Sequence, residues 1–427
     1  MAGAMKSKRR EWMLRLGLLA ASLLVGYLII EGGLRLLFFQ SLRWPGAHYQ
    51  PLMIEPDPEV GWILQPSQVA YRESLDFRVV LEVNAEGMRN QEVTLDKEPG
   101  VFRIAVLGDS YMEASHVDYD DAFPMALEAK LRAQGYPVEV LNFGVAAYGN
   151  LQAKLRLERD ALEYDPDLIL YGFYSENDLI ENHEALTLRL WGPDDWRTFA
   201  RPYAELDADG ELVVIPPNYE QARAVFEEYL TMTRPFIMRL PFLDTSVTRQ
   251  TVRQVRRSLA QRVSKPGHDP NISLGCYLEA YHPPLRRDQD MTEAQYAQYW
   301  AEARALKETI LAEMQGIAQT HDLPMAVFTV PSKAQVEPAY QERIHELYPE
   351  LDFDWRMTER ALLALADREG FHVLDLVPIF QDEHARTGEM LHYSREDVHW
   401  NPTGHRFAAE EVLAWLQAEG LLPPPKE

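Results

Sequence analysis

A chain of 427 residues, 46% hydrophobic and 25% charged, is long enough to bury a substantial core. Its formal net charge of −24 at pH 7 argues against a nucleic-acid partner, because phosphate binding relies on Lys and Arg. The single cysteine, Cys276, excludes an intramolecular disulfide and any cysteine-cluster metal site.

At the amino terminus, Lys6, Lys8, Arg9, Arg10 and Arg15 precede an apolar run from Leu16 to Ile30, extended backward by Trp12 to Leu14. A full membrane span needs about 20 residues. A second apolar run, Leu34 to Phe39, is interrupted by Arg35, which lies one helical turn from Glu31 and can pair with it. A cleaved signal peptide and an uncleaved signal anchor compete here. The absence of a small-x-small site after the apolar core favours the anchor. We expect a basic cytoplasmic tail over 1–11 and a transmembrane anchor over 12–36, with all that follows on the outer side.

Residues 37–100 are broken up by Pro45, Pro51, Pro56, Pro58 and Pro66. They read as a lead-in packed on the main domain, with a strand over Val79–Val83 and a turn at Asn84-Ala85-Glu86-Gly87. From Val101 strands alternate with helices. Ile104 to Leu107 is a short apolar run closed by Gly108, the pattern of a strand buried on both faces. A helix over Ala122–Gln134, a strand over Val138–Phe143, a helix over Leu151–Tyr164 and a strand over Leu168–Tyr174 follow. A break of about a hundred residues, 184–287, reads as a cap-like insertion, in register with no strand–helix period. It holds a hairpin (Tyr203 to Val214) and a basic helix bearing Arg249, Arg253, Arg256, Arg257 and Arg262, more simply a solvated face than a lipid or polysaccharide contact. A helix over Thr292–Gln319, strands over Pro324–Val330 and His372–Leu376, and a helix over Gly404–Glu419 complete the pattern. Such alternation predicts an α/β fold with a parallel sheet covered on both faces, here over 101–424.

Four short stretches end a strand or precede a helix: Gly108-Asp109-Ser110-Tyr111, Asn142-Phe143-Gly144, Ser175-Glu176-Asn177-Asp178 and Asp397-Val398-His399-Trp400-Asn401. Each has an ordinary explanation by itself. Asp109 and Ser110 suit a turn, Asn177 and Asp178 suit the cap of a helix from Leu179, and a lone histidine such as His399 is more often packed than catalytic. Together, in this order, they resemble the four blocks of the SGNH hydrolase superfamily, the GDSL esterases and lipases. Asn84…Gly87-Met88-Arg89 and Gly404-His405 extend the match, which runs from about Asn84 to Leu422.

The resemblance implies a three-layer α/β/α sandwich with a central parallel sheet of about five strands, the flavodoxin-like SGNH fold, here preceded by one transmembrane helix. It further implies a serine esterase working through an acyl-serine intermediate on an acetyl or other short acyl ester. Ser110 would be the nucleophile, His399 the base and Asp397 the acid that orients it. The N–H groups of Ser110 and Gly144 with the side-chain amide of Asn177 would form the oxyanion hole. Two departures stand out. Ser175 occupies a position usually glycine, and Asp397 lies two residues before His399 where the family commonly spaces its acid by three, the position of Glu396. Membrane-anchored and polysaccharide-modifying relatives often carry Asp-x-His-Trp, as here. The expected partners are therefore an ester-bearing small molecule or an acylated glycan, and a membrane through the amino-terminal helix. No cofactor and no metal are expected. An O-acyltransferase of envelope or exopolysaccharide is the alternative, and a non-catalytic glycan-binding domain a further one.

Overall fold

The computed structural model describes residues 2–38, 48–49, 53–74, 76–193, 195–232, 292–349, 353–394 and 397–425. The chain divides into two compact units, Met1–Tyr49 with Arg234–Lys265, and Gln50–Thr233 with Pro266–Glu427. In the first, a helix runs from Ala2 to Phe38, and within it Trp12–Ile30 has a mean hydropathy of 2.1 over 19 residues. That length and composition make it a candidate membrane anchor or signal. The basic helix expected around Arg249–Arg262 lies outside the described residues, as does Glu396.

The second unit is built on five parallel strands, β1 (Phe102–Leu107), β2 (Val138–Asn142), β3 (Leu168–Phe173), β4 (Met325–Thr329) and β5 (His372–Leu374). Their order across the sheet is β5-β4-β3-β1-β2. Every residue of β3 and β4 is buried, as continuous apolar runs require when both faces are covered. The alternation of β1 shows the two faces. Ile104 and Val106 pack with Phe123, Leu127 and Leu131 of α1 (Phe123–Ala133), Phe380 of α5 (Leu376–Thr387) and Val412 and Leu416 of α6 (Pro402–Ala418). Ala105 and Leu107 pack on the other side with Leu151 and Leu157 of α2 (Asn150–Arg159), Ile310 and Met314 of α3 (Glu293–Thr320) and Leu362 and Leu365 of α4 (Met357–Glu369). The result is the three-layer α/β/α sandwich, with an amino-terminal apolar helix ahead of it in the chain.

Three local features depart from the sequence reading. The helix expected over Leu151–Tyr164 stops at Arg159, where Asp160 is held by Arg156 and Arg159 at 2.7 and 2.9 Å, and a 3-10 turn follows over Ala161–Tyr164. The last strand ends at Leu374 instead of Leu376, because Asp375 accepts the Val377 N–H at 3.0 Å and caps α5. Helices α4 and α5 were not expected at all. Their apolar faces, Leu362, Leu365 and Ala366, then Leu376, Val377 and Phe380, carry the helical spacing that announces them. The hairpin of the insertion does form, pairing Tyr203–Leu206 with Leu212–Ile215.

Before β1, two antiparallel hairpins, Ile54–Asp57 with Gly61–Leu64 and Val69–Glu73 with Arg78–Glu82, gather a core around Trp62, Leu64, Val79 and Leu81. That core reaches the loop after β2. Val145 and Tyr148 are part of it, and Trp62 Nε1 donates to the Ala146 carbonyl at 3.1 Å. Asn84 fastens the turn that follows by accepting the Met88 N–H at 2.8 Å. Arg89, buried, then donates to the carbonyls of Glu113, Ala114 and Val117. This lead-in therefore braces two loops at the carboxyl end of the sheet.

Candidate active site

At the end of β1 the chain turns sharply through Gly108, whose φ of 149° favours glycine and whose Cβ position would lie 2.5 Å from Met112 Cγ. Asp109 caps the next turn. Its Oδ1 accepts the Tyr111 N–H at 2.9 Å, and its carbonyl accepts the N–H groups of Met112 and Glu113 at 3.1 and 2.9 Å. Ser110 thus opens a one-turn helix, Ser110–Glu113, at the mouth of the sheet, where open α/β folds leave their crevice.

Across 289 residues of sequence, His399 meets it. Ser110 Oγ lies 2.7 Å from His399 Nε2, and His399 Nδ1 lies 2.6 Å from Asp397 Oδ1, which also accepts the His399 backbone N–H at 2.9 Å. An ionised carboxylate only accepts, so Nδ1 carries the proton of the neutral ring and Nε2 is left to accept from the serine hydroxyl. Asp397 is itself positioned by the lead-in, since its N–H donates to Asp76 Oδ2 at 2.9 Å. The two-residue spacing is no obstacle, because one oxygen of Asp397 reaches both the ring and the backbone of His399.

The loop bearing them is fixed from both ends. Trp400 is fully buried and donates through Nε1 to the Pro331 carbonyl at 3.0 Å, while Asn401 caps α6 by accepting the Gly404 N–H at 3.0 Å. At Gly404 a Cβ would sit 2.1 Å from the Leu391 carbonyl oxygen and 3.0 Å from Trp400 Cβ. Backbone has to move to admit it. Gly404→Ala is expected to cost about 1–3 kcal/mol of stability, as overpacked cores do, and to lower the melting temperature measured by circular dichroism.

Electrostatics separates the pair. Burial would push the His399 imidazole down, but the Asp397 carboxylate, by charge and hydrogen bond, and Asp109 by charge, outweigh it and hold it above the ordinary 6.5. Burial would raise Asp397, and the neighbouring imidazolium, its hydrogen bonds and the Arg72 guanidinium hold it below 3.8. About a quarter of the His399 side chain faces solvent, so a proton and a substrate can reach it.

The other two blocks come to the same end of the sheet. Asn142 ends β2, in register with β1 through Val106↔Asn142, and Gly144 lies two residues beyond it. The Gly144 N–H donates to Asn142 Oδ1 at 3.0 Å, and a Cβ on Gly144 would lie 2.4 Å from Met112 Cβ. Glycine is needed there to pack against the turn that carries Ser110. Asn177 is 9% exposed and donates through Nδ2 to Asp109 Oδ2 at 3.1 Å. Ser175, in place of the usual glycine, is buried at the end of β3.

Sequence reasoning passed over two features. His116 stacks on His399, ring centroids 4.4 Å apart and planes at 29°, and its Nε2 lies 2.9 Å from His405 Nε2. His405 Nδ1 accepts the Phe123 N–H, so His405 donates through Nε2 to His116. Burial first, and the charge of His399 next, push both well below 6.5, so they form a neutral shelf under a ring that can charge. Their spacing, 289 residues, carries no local signal. Ala147, in the loop after Gly144, is a non-glycine at φ 62°. Its carbonyl accepts from buried Arg201 at 2.9 Å, and its N–H makes no hydrogen bond among the described residues.

In its fold and in its four blocks the chain is similar to the SGNH hydrolases. Residues 285–426 match the family model described as SGNH hydrolase-like domain, acetyltransferase AlgX. That third of the chain holds Asp397, His399 and Gly404 but not Ser110. Among solved structures, the acetyl xylan esterase AlAXEase is 11% identical, with 74% of this chain and 100% of that one covered at a TM-score of 0.38. A lipase/acylhydrolase from Enterococcus faecalis is 11% identical over 76% and 99%, TM-score 0.35. An acetyl-xylooligosaccharide esterase from Geobacillus is 12% identical over 75% and 94%, TM-score 0.35. No curated protein matches the chain.

Proposed function

We propose that this chain cleaves a carboxylic ester through an acyl intermediate on Ser110. The observation that carries the reading is the continuous hydrogen-bonded line from Ser110 Oγ through His399 to Asp397, at 2.7 and 2.6 Å. His399 Nε2 takes the serine proton as Oγ attacks the ester carbonyl, and Asp397 stabilises the imidazolium that results. When the tetrahedral intermediate collapses, the imidazolium gives that proton to the leaving alkoxide. A second hydroxyl, from water or from a sugar, is then deprotonated by His399 and releases the acyl group.

The oxyanion would be held by the Ser110 N–H, which makes no protein hydrogen bond among the described residues, and by the amide of Asn177. The Gly144 N–H is shared with Asn142 and is the weaker third donor. Loss of one such donor costs about 10²–10³ in turnover, so Asn177→Ala should lower kcat by that factor and leave KM nearly unchanged in steady-state assays.

Whether water or a sugar hydroxyl accepts the acyl group divides an esterase from an O-acyltransferase. The match of residues 285–426 to a family described as acetyltransferase favours transfer to an acceptor over release to water. A single-pass anchor with an extracytoplasmic domain, Lys6 to Arg15 staying inside, would put the site where envelope or secreted glycans are. The full-length chain in detergent micelles is to be incubated with p-nitrophenyl acetate and the Ser110 peptide analysed by mass spectrometry. One acetyl group on Ser110 supports the reading, and its discharge faster with added oligosaccharide than with buffer identifies a transferase. No acetyl on Ser110, with no labelling by a fluorophosphonate, would leave a glycan-binding domain as the better account.

A further inference from the structure

We propose that Asp109 is a positioning residue that acts through Asn177, holding its amide nitrogen, and not its amide oxygen, toward the turn that opens at Ser110. The inference rests on the reading of Ser110 and Asn177 given above and adds to it a residue that makes no contact with substrate.

Asp109 is buried, and each of its carboxylate oxygens has a single, different task. Oδ1 accepts the Tyr111 N–H at 2.9 Å and Oδ2 accepts Asn177 Nδ2 at 3.1 Å. Burial pushes this carboxyl up, and the Tyr111 N–H, the charge of His399 and the Asn177 amide oppose it; both of its oxygens accept N–H donors, the arrangement that suits the ionised form. An ionised carboxylate offers no proton. Asn177 therefore has one permitted orientation, since turning its amide over would set Oδ1 against Oδ2 with nothing between them. The cost of that orientation is visible, because Asn177 Oδ1 is buried without a partner among the described residues. A buried amide oxygen left unsatisfied is unfavourable, and the hydrogen bond to Asp109 is what holds the amide in that orientation. With one N–H of Nδ2 on Asp109, the second is the group left to meet an oxyanion.

The isosteric change Asp109→Asn makes a sharp test. The Tyr111 N–H is fixed by the one-turn helix and claims whichever side-chain oxygen remains, so the new NH₂ faces Asn177. Asn177 must then turn its Oδ1 toward that NH₂, and its own N–H groups leave the site. In p-nitrophenyl acetate hydrolysis by the full-length chain, Asp109→Asn is expected to lower kcat by about 10²-fold, the scale of a lost oxyanion donor, with KM nearly unchanged. In an Asn177→Ala background the same change is expected to cost less than about threefold, because the donor it positions is already gone. Losses that multiply across the two backgrounds, or an undiminished kcat in Asp109→Asn, would overturn the proposal. A fall in melting temperature without the non-additive kcat would assign Asp109 to stability alone. Should Asp109→Asn lack a cooperative unfolding transition, the cycle is read with Asp109→Ser, which frees the amide to turn without offering it a donor of the same reach. A wild-type chain that is inert and unlabelled by fluorophosphonate would sink the ester-cleaving reading itself, and that outcome is distinct from an active wild type with additive losses.

Discussion

Turnover of p-nitrophenyl acetate is expected to fall by about 10⁶-fold in Ser110→Ala, the scale seen when a serine nucleophile is removed from a working triad. The size follows from the geometry. Ser110 Oγ is the atom 2.7 Å from His399 Nε2, and an alanine leaves the base with nothing to deprotonate but water. The substitution removes no packing of consequence, since Asp109 and not Ser110 caps the turn and the burial around Tyr111 and Met112 is untouched. Melting temperature should therefore be unchanged, which separates a chemical loss from a folding one. Equal activity in wild type and variant would exclude Ser110 as nucleophile.

The second large effect belongs to Asp397→Asn, for which kcat should drop by about 10⁴-fold, as when the acid of a serine triad is made an amide. An amide facing His399 Nδ1 can present its own N–H there, which favours the ring tautomer protonated on Nε2 and removes the acceptor Ser110 needs. The pH profile should move as well. On the proposed mechanism His399 must be neutral to act, and Asp397 holds its imidazole above the ordinary 6.5, so kcat/KM is expected to fall on the acid side from above that value. Without the carboxylate, burial becomes the dominant influence and lowers the imidazole, so the acid limb shifts to lower pH. A profile measured across pH 5 to 9 in both chains checks the sign. An acid limb that stays in place would mean that another acid, with Glu396 the nearest in sequence, orients the ring.

Much of this architecture is written locally. The apolar runs Ile104–Leu107, Leu168–Tyr174 and Pro324–Val330 specify buried strands because nothing in them tolerates water, and the strand ends observed fall within one or two residues of those runs. Boundaries failed where a side chain competes with the backbone. Asp160 takes the two arginines before it and breaks a helix, and Asp375 caps α5 where strand was expected. Between β4 and β5 the helical spacing of Leu362, Leu365 and Ala366 is present in the sequence and marks α4.

Composition and period are enough to specify the class of sheet, the alternation that covers both its faces, the apolar helix over residues 12–30, and which side chains stand at the ends of the strands. Those properties follow from composition and period, which neighbouring residues express without reference to the rest of the chain. Tertiary structure alone decided what those side chains do to one another. The meeting of Ser110 with His399 and of His116 with His405 spans 289 residues, and the hydrogen bond from Asp397 to Asp76 spans 321. It also decided that Gly144 is small for the sake of Met112, and that Asn177 answers to Asp109. Such partnerships depend on distances of 3 Å or so between parts of the chain whose separation in sequence is arbitrary, and only the packed sheet and its loops fix them.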